Sequence, residues 1–502
     1  MNQIPCLRRF RRLLAFEIVL LLAAGMSSCM PSALDITDVE LQPIPPELTI
    51  DSTAPTPTQP AVPIVAAPRE ATPAPLSEDG PWWILNTMQG LWIMNADGSG
   101  LKALYLSAEA NPDPIHHPAI APGGDHIAFV SSSDWEEGIR LHILSLPEAD
   151  ETVIQVLPAG IPHDLEDFEP GNPAFEADQA SIALLNINSI AWSPDGGQLA
   201  FVGMIDGPST DLYLYDVASG EILRLSDGPS HAIRPSWSPD GDILLHAGVQ
   251  SFGTGAGYNM AGVWAVDLSD FSIRSIDAEA LRGNFLFRGW LDNTTFMLAS
   301  WDAWCGLSNL RAVDVESGTI QTLWPGAFIF SGLDPKSMHL LLEIWDYTAN
   351  DPYCGGQGID GVVLVRPDGE VQPLPLEPGR QIMWAPALEA FLLVDENPLP
   401  VSLDGTPGEV LPAMPCISPD GMRWAFHTEQ APGYWIGEIG RIPEDELDAC
   451  RADQVGWSPD GESFIFHHVQ GIFTARAPDF DPVLVSTDLV LDYDDPFLWA
   501  GE

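Results

Sequence analysis

A short phrase recurs along this chain: an apolar stretch, then Trp-Ser-Pro-Asp-Gly, then a second apolar stretch. It is complete in three segments, IAWSPDGGQLAFVG, PSWSPDGDILLHAG and VGWSPDGESFIFHH, and weaker in AIAPGGDHIAFVSS and CISPDGMRWAFHT. Proline presets φ at the second position of a turn and glycine supplies positive φ at its exit, so each copy predicts two strands joined by a tight turn. The repeat residues are Trp192, Pro194, Asp195, Gly196, Trp237, Pro239, Asp240, Gly241, Pro419, Asp420, Gly421, Trp457, Pro459, Asp460 and Gly461.

The repeat predicts an all-β fold, a β-propeller of four-stranded antiparallel blades. A second hairpin follows several copies, as in DLYLYDVASGEILRL, so that each unit holds four strands in about 40 to 50 residues. We expect eight blades within a range of seven to nine, because the interval from Trp384 to Ile417 is short. The segment WWILN lacks a first strand, and the C-terminal strand at Trp499 is expected to supply it and close the ring. The alternative is an unclosed solenoid or sandwich.

These copies resemble the TolB-type, WD-repeat-like β-propeller repeat of bacterial periplasmic and secreted proteins. The resemblance covers Pro81 to Glu502, and IMNADGSGLKAL is similar to the stretch that precedes the repeat in that family. It implies the fold and leaves activity open, since such propellers serve as scaffolds, lipoproteins and accessory domains of peptidases. TolB carries a further α/β domain before its propeller, whereas a Pro-rich segment stands there in this chain. We therefore transfer no Tol-system role.

The first 29 residues have the pattern of a lipoprotein signal peptide. A basic region at Arg8–Arg12 precedes an apolar core at Leu13–Met26, which is too short to span a bilayer. Ser27-Ser28-Cys29 resembles the bacterial lipoprotein cleavage box, a resemblance that implies lipidation at Cys29. An ordinary secreted protein and an uncleaved anchor are the alternatives. The expected location is extracytoplasmic, on the cell membrane or outer envelope.

Residues 30–80 are predicted to form a disordered tether. From Met30 to Pro81 the chain has twelve prolines, with Thr, Ala and Ser between them. Such a composition buries too little apolar surface to fold and favours extended geometry. The propeller domain is accordingly assigned to residues 81–502.

The chain is strongly acidic, with 71 Asp and Glu against 20 Lys and Arg and a formal net charge of −51. Nucleic-acid binding depends on cationic contacts to phosphate, so this charge disfavours nucleic acid as a partner. It likewise limits membrane contact to the lipid anchor. Cationic partners or a divalent metal are compatible with it, and so is the simpler role of keeping an exported protein soluble.

Four cysteines follow the signal: Cys305, Cys354, Cys416 and Cys450. An even number in an exported protein predicts disulfides, with three pairings open. Cys305 and Cys354 each follow Trp-Asp in a loop after a second strand of adjacent blades, so their pairing is geometrically plausible. Cys416 and Cys450 each lie ahead of a first strand and form the second expected pair. Free buried thiols are the alternative.

Few residues suggest chemistry. His116-His117 and His467-His468 lie on predicted strands, where neighbours point to opposite faces, so neither doublet can hold one metal without a bulge. The cluster Asp492, Asp494 and Asp495 resembles a calcium site only loosely, because it lacks the spacing and glycine of a calcium loop. The sequence has no H-E-x-x-H, C-x-x-C or G-x-S-x-G motif. We expect no cofactor.

Two functions remain open. The first is a non-catalytic, envelope-anchored lipoprotein that binds an unidentified envelope or extracellular protein or polymer through loops at one mouth of the ring. The second is a propeller hydrolase, lactonase or lyase with a carboxylate and divalent-cation site at the channel mouth. The longest candidate loops are His163–Ala180, Ser251–Asn259, Asp346–Asp360 and Gln430–Tyr434. Converging Asp, Glu, His or Asn side chains at the mouth would favour the enzyme.

Overall fold

The computed structural model describes residues 69–70, 74–107, 114–132, 138–160, 170–253, 258–276, 284–302, 306–334, 336–344, 361–385, 388–394, 399–408, 416–417, 423–427, 434–438, 455–468, 470–477, 480–492 and 496–501. Its strands, in chain order, are β1 (Arg69–Glu70), β2 (Trp82–Thr87), β3 (Gly90–Asn95), β4 (Lys102–Leu106), β5 (Ile115–Ile120), β6 (His126–Ser132), β7 (Ile139–Ser145), β8 (Glu151–Leu157), β9 (Ile190–Trp192), β10 (Gln198–Gly203), β11 (Asp211–Asp216), β12 (Ile222–Arg224), β13 (His231–Trp237), β14 (Ile243–Phe252), β15 (Tyr258–Asp267), β16 (Ser272–Ile276), β17 (Asn284–Trp290), β18 (Thr295–Asp302), β19 (Gly306–Asp314), β20 (Ile320–Phe328), β21 (Phe330–Leu333), β22 (Leu340–Ile344), β23 (Gly361–Val365), β24 (Val371–Leu374), β25 (Gln381–Ala385), β26 (Ala390–Val394), β27 (Leu399–Ser402), β28 (Cys416–Ile417), β29 (Arg423–His427), β30 (Tyr434–Glu438), β31 (Val455–Trp457), β32 (Ser463–His468), β33 (Gly471–Arg476), β34 (Val483–Ser486) and β35 (Phe497–Ala500).

The strands form consecutive antiparallel meanders, which are the blades of a β-propeller. The sheets are β35 with β2–β4, then β5–β8, β9–β12, β13–β16, β17–β20, β21–β24, β25–β27, β28–β30 and β31–β34. The first strands of successive sheets pack side by side: β31 against β35, β35 against β5, β5 against β9, and β9 against β13. Apolar clusters fill the space between neighbouring sheets. The predicted all-β propeller fold is confirmed.

The described strands fall into nine sheets, within the expected range of seven to nine and one above the preferred eight. The short interval that favoured eight, from Trp384 to Ile417, separates the first strands of two sheets, β25–β27 and β28–β30. Each of these has three strands among the described residues.

The C-terminal strand closes the ring, as the sequence predicts. β35 pairs antiparallel with β2, with Trp83 opposite Trp499 and Leu85 opposite Phe497. The rings of Trp83 and Trp499 meet edge to face, with 4.8 Å between their centroids. The inner edge of that sheet is thereby covered where the two ends of the propeller meet.

The repeat phrase forms the predicted turn with a hydrogen-bonded interior. The Ser193 hydroxyl donates to Asp195 Oδ1 at 2.6 Å and accepts from the backbone N–H of Gln198 at 2.9 Å. Gly196 has φ of 73°. Bonds from the Ser193 hydroxyl and the Gly197 N–H lower the pKa of Asp195. The same Ser–Asp bond recurs at the other complete copies.

The repeat tryptophan joins one blade to the preceding one. Trp192 Nε1 donates to the carbonyl of Ala119 at 3.0 Å, and Trp237 Nε1 donates to the carbonyl of Ala191 at 2.9 Å. Each indole therefore packs between sheets and also satisfies a backbone acceptor of the neighbouring first strand. This dual contact explains why the phrase needs tryptophan rather than another large apolar residue.

The segment that precedes the ring contacts it. β1 adds in parallel to the outer strand β34, with Arg69 opposite Val483. The Asn95 side chain then bonds the backbone N–H of Ser77 at 2.8 Å and the carbonyl of Pro75 at 3.0 Å. The described structure thus begins inside the segment 30–80 that the sequence assigns to a tether.

The acidic insertion His163–Ala180, expected to lie on a loop, contains a helix instead. Helix α1 (Pro173–Ser181) has Asn172 as its N-cap, whose side chain accepts the N–H of Ala174, and a proline at its start. A π-helical turn (Ile182–Asn186) continues it. Ala177 and Leu184 are buried in the core of the neighbouring blades, so apolar burial stabilises a helix where the acidic composition suggested a loop. No helix among the described residues has the length and apolarity needed to cross a membrane.

Candidate functional site

The first strands of the blades, which line the channel, differ in charge from the rest of the chain. Among those described, β5, β9, β13, β17, β21, β25, β28, β31 and β35 contain no Asp, Glu or Lys. Their basic side chains are Arg234, Arg288 and the three histidines His116, His117 and His231. In a chain with a net charge of −51, the described first strands thus have basic side chains and no carboxylates.

A bulge turns the first histidine doublet out of regular strand geometry. In the β5–β6 ladder His116 pairs with Val130 and Ala119 pairs with Ala128, which leaves extra residues on β5. His117 has φ of 54°. The sequence analysis expected the two imidazoles to point to opposite faces of the strand unless a bulge intervened, and a bulge is present here. The two imidazole centroids are 6.2 Å apart.

His117 is held neutral at physiological pH. Burial, and then the neighbouring His116, lower its pKa to about 4, against a hydrogen bond to the Leu185 carbonyl that raises it. Neutral imidazoles can bind a metal, but no group of three His, Cys, Asp or Glu side chains in the described part of the chain could hold one.

Arg234 occupies a second bulge at the corresponding place two blades on. Ile233 pairs with Ala247 and Ser236 pairs with Leu245, so that Arg234 and the proline after it stand opposite His246. Arg234 has φ of 54°, as His117 does, and both residues precede a proline. The Arg234 N–H donates to the Asn188 carbonyl at 3.2 Å, just beyond the π-helical turn.

A pocket lies beside this bulge, between the blades β13–β16 and β17–β20. Its volume is about 20 Å³, enough for a single water molecule. Its polar lining comes from Arg234, Ser236 and His246, and its apolar lining from Leu245, Val263, Phe285, Phe287 and Leu298. Small-molecule sites usually have about 300–1,000 Å³, so this space suits a water rather than a ligand.

His246 is the most unusual side chain in the pocket. It is 6% exposed, and its Nε2 has no hydrogen-bond partner among the described residues. Its Nδ1 lies 3.4 Å from the Ala247 carbonyl, and its ring stacks on Trp264 with centroids 5.5 Å apart. Burial lowers the pKa of His246 to about 4. The ring is therefore neutral, and the Nδ1–H bond to Ala247 leaves Nε2 as an acceptor.

A serine, a histidine and a glutamate form a connected chain in the blade β5–β8. The Ser131 hydroxyl lies 2.8 Å from His142 Nε2, and His142 Nδ1 lies 2.6 Å from Glu151 Oε1. These distances are those of a hydrolytic triad. Ser131, however, is 0% exposed and His142 is 4% exposed, with the imidazole stacked on Phe129 at 4.8 Å. The hydroxyl is therefore out of reach of a substrate.

A second polar chain anchors α1 to the ring. His231 Nε2 lies 3.7 Å from Glu176 Oε2, and His231 Nδ1 accepts the Thr210 N–H at 3.1 Å. Next to it the fully buried Asp211 binds the Arg224 guanidinium at 2.6 Å. Burial lowers the pKa of His231 against the opposing effect of Glu176. These groups fix the insertion on its blade.

Many of the predicted site residues lie outside the described residues. They are Cys29, Cys305, Cys354, Pro419, Asp420, Gly421, Cys450, Asp494 and Asp495. Cys416 is at the start of β28, and neither disulfide pair has both members described. Asp492 donates its backbone N–H to the Asn86 carbonyl beside β2. His467 and His468 lie on β32, and burial lowers the pKa of His467.

The structure describes only some of the candidate loops. The Ser251–Asn259 loop is fastened at its start, where the Phe252 N–H donates to Gln179 Oε1 of α1 at 2.6 Å. Asp346–Asp360 and most of Gln430–Tyr434 lie outside the described residues. The sequence analysis missed Arg234, His246 and Ser131. The sequence contained a signal for Arg234, because the tripeptides HHP and IRP stand in corresponding positions, just before the turn, in two copies of the repeat.

Comparison with known proteins adds information on the fold. No family model matches the chain. The uncharacterized peptidase YuxL of Bacillus subtilis is 43% identical over 54 residues, which are 11% of this chain and 8% of that protein. The chain thus spans under a tenth of that relative's length.

Solved structures match over more of the chain at low identity. A eukaryotic initiation factor is 11% identical, with a TM-score of 0.50, over 84% of this chain and 98% of that one. TolB from Acinetobacter baumannii is 16% identical, with a TM-score of 0.30, over 58% of this chain and 61% of that one. At such identities a likeness bears on fold alone, and the fold is a β-propeller.

Proposed function

We propose that this chain is a non-catalytic, lipid-anchored propeller of the cell envelope that binds a protein or polymer at the channel side of its ring. The observation that carries the proposal is the burial of Ser131. The Ser131 hydroxyl, which has triad-like partners in His142 and Glu151, is 0% exposed, so these groups join strands within a blade rather than attack a substrate. Binding is the role left to the exposed loops and the channel wall.

The charge distribution supports binding at the channel. The described first strands carry arginines and histidines without Asp or Glu, in a chain that is otherwise acidic. Field lines focus in such a concavity and raise the local concentration of anionic groups. The partner's contact group is accordingly anionic.

The anchored location has support from the sequence. The basic start, the short apolar core and Ser27-Ser28-Cys29 are those of an exported lipoprotein. A lipid on Cys29 and a Pro-rich segment after it hold the ring near a membrane surface.

An enzyme with a divalent-cation site at the channel mouth is the alternative. Such a site needs three or more converging Asp, Glu, His or Asn side chains around a gap of ionic size. In the described ranges no three His, Cys, Asp or Glu side chains converge in this way.

The test combines capture with activity probing. The full-length lipidated chain should retain a partner from membranes of its host, and Cys29→Ala should leave the membrane fraction and lose fatty-acid labelling. A fluorophosphonate probe, which labels accessible activated serines, should leave the native chain unlabelled. Labelling at Ser131, or hydrolase, lactonase or lyase turnover that depends on an added divalent cation, would contradict the proposal.

A further inference from the structure

We infer that the outer wall of the ring, between the blades β9–β12 and β13–β16, docks a segment of a partner protein that has large apolar side chains flanked by Lys or Arg. The docking surface consists of three exposed apolar side chains, Leu223 on β12, Phe271 in the turn before β16 and Ile273 on β16. We call these three residues the outer apolar surface. It lies on the outermost strands of its blades, whereas the proposed function concerns the channel side.

Phe271 has a backbone conformation that the equivalent turns give to glycine. The turn between the third and fourth strands of its blade runs from Asp267 to Ser272, and Phe271 has φ of 57° within it. Gly220 and Gly318 occupy the same place in the two neighbouring blades, with φ of 71° and 68°. A side chain at such a φ costs free energy that glycine avoids, so a large residue there needs a compensating role.

Packing supplies that role in another blade, but it does not supply it for Phe271. Phe480 stands at the corresponding place in the blade β31–β34, with φ of 50°. It is 8% exposed, and its ring meets that of Trp457 with centroids 6.2 Å apart. Phe271 is 49% exposed. Backbone strain that burial does not offset is typical of sites that bind or react.

The two strands turn apolar side chains toward the same space. Ile273 pairs with Val266, which belongs to the apolar cluster shared with the blade β9–β12, so Ile273 faces that blade. Arg274 points the other way, and its guanidinium donates to the Glu316 carbonyl of the following blade at 3.5 Å. Counted from the turn, Leu223 of β12 corresponds to Arg274, so Leu223 faces the blade β13–β16 from the opposite side.

The exposed charges beside the outer apolar surface are negative. Glu221 and Asp270 are exposed in the two turns, and hydrogen bonds from Ser272 lower the pKa of Asp270. The nearby Arg224 and Arg274 each contact a carboxylate of their own blade. Lys or Arg beside the apolar residues of a partner segment is complementary to this arrangement. A second copy of this chain, with its net charge of −51, and an anionic membrane are both repelled.

A fluorescein-labelled peptide that alternates leucine with lysine serves as the probe, added to the full chain and followed by fluorescence anisotropy. A peptide of serine and lysine has the same charge without apolar groups, and a peptide of leucine and glutamate has the opposite charge. We expect the leucine–lysine peptide to bind roughly tenfold or more tightly than either control, because it buries leucine side chains beside carboxylates. Equal binding of the serine–lysine peptide, or no binding of the leucine–lysine peptide, would overturn the inference.

Matched variants locate the surface. Phe271→Gly should weaken the leucine–lysine peptide roughly tenfold, and the variant should unfold at the same or a higher temperature because glycine relieves the turn. Phe480→Gly, the same change at the buried place, should lower the unfolding temperature. Val490→Ala, at an exposed apolar residue beside β2, should leave the peptide affinity unchanged. Unchanged affinity in Phe271→Gly, or a clear fall in its unfolding temperature, would overturn the inference.

The same variant separates other occupants of this surface. A dimer seen by sedimentation equilibrium that Phe271→Gly dissociates would assign the surface to a second copy. Binding of the Cys29→Ala chain to phosphatidylcholine vesicles that Phe271→Gly abolishes would assign it to a membrane. Either result would overturn the inference. Retention of a membrane partner by Phe271→Gly would leave the channel-side function in place whatever the peptide result, so the two proposals can fail separately.

Discussion

A hydroxyl buried on all sides can hold a hydrogen bond but cannot reach a substrate, and Ser131 is in that position. Its partner His142 bridges the second and fourth strands of one blade through Glu151. A serine, a histidine and a glutamate, which form catalytic triads in hydrolases, therefore connect neighbouring strands by hydrogen bonds here. In these apolar surroundings, a fully hydrogen-bonded chain of polar side chains stabilises the fold, and the loss of one of its hydrogen bonds is costly.

Removing the Ser131 hydroxyl should destabilise the blade. Ser131→Ala deletes the bond to His142 Nε2, and we expect the free energy of unfolding to fall by about 1–3 kcal/mol. Ser132→Ala is the control, because that hydroxyl is on the same strand and faces the other side of the sheet. Urea unfolding followed by tryptophan fluorescence measures both. Equal losses in the two variants would contradict the structural role.

The buried histidines predict a loss of stability in acid. The pKa of His246 is about 4 in the fold and about 6.5 in the unfolded chain, so between these values only the unfolded chain takes up the proton. The free energy of unfolding is therefore fully present above pH 6.5 and falls as the pH drops toward 4.

His246→Leu tests this directly by removing one of the groups. Between pH 7.5 and pH 5 the variant should lose about 2 kcal/mol less than the parent chain, since the proton-uptake difference of one site is gone. His117, with a pKa of about 4, continues to contribute in both proteins. An identical loss in parent and variant would show that His246 is not buried neutral.

At the scale of a strand, the repeat tryptophan does two things at once. Its ring fills the space between blades, and its N–H bonds a carbonyl of the blade before. The two contributions can be separated, because other buried tryptophans in the chain provide only the first.

Trp237→Phe should lower the free energy of unfolding by about 1 kcal/mol more than Trp324→Phe does. Both changes shrink a buried ring, but only Trp237 loses a hydrogen bond, the 2.9 Å contact to the Ala191 carbonyl. Trp324 is 3% exposed, and its Nε1 has no partner among the described residues. Thermal unfolding of the two variants measures the difference. A larger loss in Trp324→Phe would contradict the linking role.

Elements with a local signal could be predicted, and elements fixed by distant contacts could not. Ser193 to Gly196 carry their turn in their own chemistry, so the hairpins follow from sequence. Helix α1 also had a signal in Asn172 and the proline after it, which the acidic composition outweighed. Arg234 had a signal in the tripeptide IRP, but its position opposite His246 had none, because strand register, set by a bulge, brings the two together.

At the scale of the molecule, closure turns a row of sheets into a ring. β35 fills the inner edge of the sheet that begins with β2, and the first strands then follow one another around the channel. This could be predicted because WWILN lacks a first strand and the C-terminal segment resembles one. The number of blades was harder, because the short interval from Trp384 to Ile417 favoured one blade fewer, whereas the described strands β25–β30 fall into two sheets.

Cross-linking across the closure tests the central claim most directly. Leu85 and Phe497 face each other in the β2–β35 register, whereas Ile222 lies on the exposed outer strand β12 of another blade. Leu85→Cys with Phe497→Cys should form a disulfide under mild oxidation, identified by peptide mass mapping, and Leu85→Cys with Ile222→Cys should form none. Failure of the first pair to cross-link in the folded chain, or equal cross-linking of both pairs, would contradict a ring closed by its C-terminal strand.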